Sequence, residues 1–145
     1  NLRYTSSMLH FYLGSLRYLP LYRKYHKKEK QNEGEIQTII NASLKFMEEN
    51  VERQISLQDI AQYIGYSVSH FSAIFKSHTG HSPLSYFNML KIKKACELLD
   101  TTDMKINQIS YKVGIDDSYY FSRLFTKTVG ISPKKYREAE KYQKE

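Results

Sequence analysis

Residues Gly114–Arg137 read GIDDSYYFSRLFTKTVGISPKKYR, and residues Gly65–Phe87 read GYSVSHFSAIFKSHTGHSPLSYF. Both stretches open on glycine, set two phenylalanines four apart, and continue into Gly-x-Ser-Pro-x-x-Tyr. Phe71, Phe75, Gly80, Ser82, Pro83 and Tyr86 return 50 residues later as Phe121, Phe125, Gly130, Ser132, Pro133 and Tyr136. Ahead of one inserted residue, Leu57, Ile60, Ile64 and Gly65 return as Ile106, Ile109, Val113 and Gly114, a shift of 49. A chain that repeats its apolar and punctuating residues at a fixed period builds one supersecondary unit twice.

The punctuation inside each copy spells helices. Ser56 with Asp59 three positions on is a capping box that opens a short helix at Leu57, and Gly65 stops it after Ile64. Ser67 caps a second helix running to about His78, with Tyr66 and Phe71 placed as a hydrophobic staple. Pro83 suits the first turn of a longer helix to about Leu99, since it has no N–H to leave unpaired there. After DTTDMK the pattern restarts. Short helix, glycine turn, second helix is the order of a helix-turn-helix, here about 57–78 and about 106–128, joined by a linker helix at about 83–99. The fold class is all-α.

Upstream, Leu2, Leu9, Leu13, Leu16 and Leu19 fall near helical spacing and predict an amphipathic helix that Pro20 ends. Residues 22–34, YRKYHKKEKQNEG, are charged, carry no apolar period and end in Gly34, so they read as a basic linker. This divides the chain into an N-terminal part, 1–34, and a main domain, 35–145, whose first helix carries the stripe Ile36, Ile39, Ile40, Leu44 and Met47. The first residue is Asn1 and not methionine, as expected of a fragment or a processed product.

The formal charge of +7 points to an anionic partner, but residues 1–30 carry +6 of it, and the rest is nearly balanced. Where charges sit on each helix therefore matters more than their total. In the first copy Val68, Phe71, Ile74 and Phe75 form the expected core stripe, leaving Ser69, Ser72, Ala73 and Lys76 outward. In the second, Phe121, Leu124 and Phe125 face inward, leaving Tyr119, Ser122, Arg123 and Thr126 outward, with Tyr120 and Lys127 beside them. A small, polar and basic face on the second helix suits the major groove of DNA. Arg123 is the strongest base-reading candidate, because its planar fork can donate twice to guanine O6 and N7. Lys76 and Lys127 suit phosphates.

Other chemistries find little support. His70, His78 and His81 have no thiol partners and are split by a turn, so no metal site is expected. Cys96 lies beside Ala95 and Leu98 on the linker helix, as a small buried thiol does. A lone cysteine forms no internal disulfide and fits a reducing, cytoplasmic compartment. Carboxylates show no catalytic pairing, and no glycine-rich phosphate loop occurs, so neither an enzyme nor a cofactor is expected. No apolar run has the roughly 18 residues of a membrane span. The residues alone leave a helical module that binds protein or RNA as the alternative to sequence-specific DNA binding.

GIDDSYYFSRLFTKTVGISPKKYR, GYSVSHFSAIFKSHTGHSPLSY and the linking LKIKKACELL resemble the DNA-binding domain of the arabinose-operon regulator (AraC/XylS) family of bacterial transcription factors. The likeness covers roughly Ile36 to Tyr142. It implies about seven helices, with two helix-turn-helix units held apart by one long helix and reading the same face of promoter DNA. It places base-reading residues at Ser69, Ser72 and Ala73 in the first recognition helix. In the second it places them at Ser118, Tyr119, Tyr120 and Arg123. Ala73 stands where members of the family often carry arginine, which implies weaker base readout by the first unit. Ile115 replaces a usual aromatic and Thr126 a usual lysine. By the same likeness RNA polymerase is a possible partner, and the N-terminal helix or an upstream domain is a possible dimerisation element.

Overall fold

A computed structural model of the chain describes residues 19–143, with side chains described over residues 32–143. Among the described residues there are seven helices and no strand: α1 (Leu19–Glu49), α2 (Leu57–Ile64), α3 (Val68–Thr79), α4 (Pro83–Thr101), α5 (Ile106–Lys112), α6 (Ser118–Val129) and α7 (Pro133–Gln143). The chain divides into two compact units, Asn1–Ile39 and Ile40–Glu145. The amphipathic helix expected over residues 2–19 lies, all but its last residue, outside the described residues.

Residues 22–34, expected to be a linker, are helical and belong to α1. Pro20 takes the first turn of that helix, where its missing N–H would be unpaired in any case. The polar run that follows contains no β-branched residue, and an isolated glycine such as Gly34 costs only about 1 kcal/mol in a helix. Low apolar content argued against a buried face; it did not argue against a helix.

The second unit follows the duplicated pattern closely. Ser56 Oγ accepts the Asp59 N–H while the Asp59 carboxylate accepts the Ser56 N–H at 2.8 Å, which closes the capping box at the start of α2. The Gly65 N–H donates to the Ala61 carbonyl at the other end. Ser67 and Asp117 cap α3 and α6. At the two Ser-Pro steps, Ser82 Oγ accepts from the Ser85 N–H and Ser132 Oγ from the Lys135 N–H, both at 3.3 Å. Gly80 and Gly130 end the helices before them in the left-handed conformation.

The two copies also repeat their interiors. Phe71 and Phe75 are fully buried 5.6 Å apart, and the Tyr86 ring meets Phe75 edge-on at 5.6 Å. Phe121, Phe125 and Tyr136 make the same trio at 5.9 and 5.7 Å. Each fully buried phenylalanine contributes roughly 2–3 kcal/mol of burial free energy. So the tyrosine of each Gly-x-Ser-Pro-x-x-Tyr is an aromatic anchor that fixes how the chain leaves each recognition helix. Ile92, Ala95 and Leu99 of α4 join Ile109, Val113, Ile115, Phe121 and Phe125 in one core cluster. Helix α4 packs against α3, α5, α6 and α7 and is the strut of the unit. Its 19 residues span about 28 Å at 1.5 Å each.

Candidate nucleic-acid interface

The candidate surface consists of the faces of α3 and α6 that the aromatic trios leave free. Burial of Phe71 and Phe75 turns Ser69, Ala73 and Lys76 outward, all exposed, with Ser72 half-buried between them. In α6 the same logic exposes Tyr119, Arg123, Thr126 and Lys127 and leaves Ser118 and Ser122 half-buried. Tyr119 is 84% exposed and Tyr120 44%, a large aromatic area that no protein contact explains. No ion pair forms to Arg123 among the described residues, so its guanidinium donors are open. Lys76 and Lys127 stand in the last turn of their helices, where a cation also interacts favourably with the helix dipole.

Local hydrogen bonding fixes how each helix starts. Asp117 Oδ1 accepts the N–H groups of Tyr119 and Tyr120 at 2.9 and 3.2 Å, and Ser67 Oγ accepts the His70 N–H at 3.2 Å. The Thr126 hydroxyl donates to the Ser122 carbonyl at 2.7 Å, so its proton is committed to its own helix.

One expectation about these helices changes. Val68, assigned to the core stripe, is 37% exposed, at the first residue of α3. Tyr66, ahead of the same helix, sets its ring edge against His70 at 5.0 Å. The repeat identifies what was missed. Shifted by 50, Ser118 and Tyr120 fall on Val68 and His70, and both are exposed at the start of α3. The face of α3 that stands free of the core therefore includes Val68 and His70 beside Ser69, Ser72, Ala73 and Lys76.

Two basic residues that carry structure rather than surface charge were also passed over. Lys91 is 4% exposed, its ammonium 4.4 Å from the centre of the Phe87 ring, and burial pushes its pKa down to about 8. Phe87, Lys91, Ala95 and Leu99 lie four apart, so a lysine within an apolar stripe was the available signal. Arg137 Nη1 donates to the Met104 carbonyl at 2.6 Å and Nη2 to the Thr102 carbonyl at 3.2 Å, binding the loop after α4 to α7.

A cleft of about 620 Å³ runs between the Gln54–Asp59 segment, the start of α4 and the Gly114–Tyr120 turn, with Leu84 and Phe87 in its wall. Among the described residues no group of His, Cys, Asp or Glu is arranged to hold a metal ion, and no helix is long and apolar enough to cross a membrane. His78 bonds through Nδ1 to its own helix at the Ile74 carbonyl, 3.1 Å away. Burial raises the Cys96 thiol, which makes it a poor nucleophile.

The family model described as a helix-turn-helix domain matches residues 60–139. The MmsAB operon regulatory protein of Pseudomonas aeruginosa is 42% identical over 93 residues, which are 64% of this chain and 30% of that protein. An AraC-type transcriptional regulator from Chromobacterium violaceum superposes with a TM-score of 0.67 at 30% identity, over 72% of this chain and 93% of that one. The DNA-binding domain of AdpA, a global transcriptional factor solved with a target DNA, shares the fold at a TM-score of 0.69 and 23% identity, over 72% and 94%. The matched region thus spans about a third of the first curated relative and nearly the whole of these domain structures. With a duplicated unit, two exposed reading faces and these likenesses, the chain belongs to the AraC-type helix-turn-helix family of DNA-binding transcription regulators.

Proposed function

We propose that α3 and α6 enter successive major grooves on one face of a promoter duplex, with α4 as the strut between them. The observation that carries this reading is the pairing of two like aromatic cores with two unlike exposed faces. Each core packs the same aromatic trio beneath its helix, and the faces differ residue by residue, so the two half-sites differ in sequence. Arg123 donates to a guanine edge, Tyr119 and Tyr120 give apolar contact and hydroxyl bonds, and Ser118 adds a small polar contact. Ser69, Ser72 and Ala73 read the other half-site, where Ala73 offers only contact with a thymine methyl. Lys76 and Lys127 bind phosphates and set register.

By the same proposal, this domain passes a signal from an upstream sensor or dimerisation domain to transcription in the bacterial cytoplasm, with the helix α1 leading into it. Contact with RNA polymerase and pairing of two chains through the N-terminal segment belong to the same proposal, and no catalytic step does.

The test is selection of duplexes from a randomised pool, followed by titration against the enriched site and a scrambled version. Affinity is expected to fall steeply with salt and by more than tenfold on scrambling. Equal affinity for both would leave only a helical module that binds without reading sequence.

A further inference from the structure

The two helix-turn-helix units meet at one seam, and a buried side chain is bonded across it. Lys91 Nζ, buried in the middle of α4, donates to the carbonyls of Val51 and Arg53 at 2.7 and 2.8 Å and of Val113 at 2.7 Å. Val51 and Arg53 lead into the first unit, while Val113 ends the first helix of the second. An ammonium group has three N–H donors, and all three are used. The backbones touch at the same place: a Cβ on Gly114 would lie 2.8 Å from both Arg53 C and Arg53 O. Lys112 and Glu52 add an exposed pair at 3.6 Å along the same line.

An apolar residue would fill this position in the Phe87, Ala95, Leu99 stripe without the desolvation cost of a buried cation. What such a residue lacks is direction. Apolar surfaces slide over each other at little cost, whereas three carbonyls around one ammonium have a single good arrangement.

We propose that Lys91 is a positioning residue that locks the two helix-turn-helix units in one register, so that α3 and α6 read their half-sites at one spacing only. This rests on the two-groove reading above. One added base pair moves the second half-site by about 3.4 Å along the duplex and turns it by about 35°. A locked pair of helices cannot follow that move.

The experiment uses the duplex that the wild-type chain enriches from a randomised pool, and the same duplex with one base pair inserted between the half-sites. Wild type is expected to lose tenfold or more on insertion, and Lys91→Met about threefold or less, with a weaker complex at the original spacing. Lys91→Arg, which keeps charge and several donors, is expected to restore most of the spacing penalty. Lys93→Met, at an exposed neighbour, should match wild type. Cooperative melting is checked for each variant, and Lys91→Gln replaces Lys91→Met if the latter does not melt cooperatively. Should wild type itself ignore the insertion, the two-groove reading fails and this inference with it. Should wild type respond and a folded Lys91 variant respond equally, the two-groove reading stands and the lock is overturned.

Discussion

Gly114→Ala tests whether the seam between the two units is a true close contact. Gly114 has φ +74, and an alanine held in that left-handed conformation costs about 1–2 kcal/mol. The added Cβ would also sit 2.8 Å from Arg53 C, Arg53 O and Lys91 Nζ. Two of these atoms are backbone and the third is held by three hydrogen bonds, so relief requires moving the seam, at about 1–3 kcal/mol more. The expected loss is about 2–5 kcal/mol. Gly130→Ala is the matched control: its φ is +98, yet a Cβ there meets nothing within 4 Å, so only the conformational part remains, about 1–2 kcal/mol. Urea unfolding of both variants, with slopes unchanged from wild type, gives the difference directly. Equal losses at the two glycines would refute the close approach, and with it the picture of two backbones held together around one ammonium.

Arg123→Ala should weaken binding to the selected duplex by about 1–3 kcal/mol and relax preference at one base pair, while Ala73→Ser should change little; unaltered preference would mean α6 is not docked as proposed. Arg137→Met should destabilise the domain by about 2–3 kcal/mol, read by urea unfolding, because the carbonyls of Met104 and Thr102 lose a charged donor. The Ser56 backbone N–H, and then its hydroxyl, hold the Asp59 carboxyl below the usual carboxylate range. That contribution is present above the ordinary carboxylate pKa and is lost as pH falls through the lowered value. Thermal melting of Asp59→Asn should therefore lose less between about pH 5 and pH 3 than wild type does, and parallel curves would exclude the coupling.

Much of the fold was legible because its signals are local and were written twice. The capping box, the glycine stops, the Ser-Pro starts and the phenylalanine pairs each act within a few residues, and repetition separated them from chance. Which residues of α3 and α6 stand exposed, Val68 apart, followed from the same periodicity. Three things did not follow. Residues 22–34 lack an apolar stripe and so read as a linker, although helix formation needs no such stripe in the absence of breakers. Val68 was counted into the core by periodicity, which cannot register that a stripe runs past the end of the core it covers. Lys91 was one of several lysines in LKIKK, and only the packing of segments about 20 and 40 residues away decides which is buried.

These failures share a cause with the asymmetry of the duplication. Where each copy supports only itself, the two sequences agree: Phe71 and Phe75 with Tyr86 answer Phe121 and Phe125 with Tyr136. Where a copy faces something else, they part. Toward the proposed DNA, Val68, Ser69, His70 and Ala73 stand against Ser118, Tyr119, Tyr120 and Arg123. At the seam, Phe87 lies beneath the buried ammonium of Lys91, whereas the corresponding Arg137 binds carbonyls after α4 and the corresponding Lys141 is exposed. Two identical units have no reason to stop at two or to differ in what they read. Phe87 and Lys91 at the middle of the strut and Arg137 at its end break the symmetry of the repeat, and under the proposal above that difference holds two different faces in one fixed order.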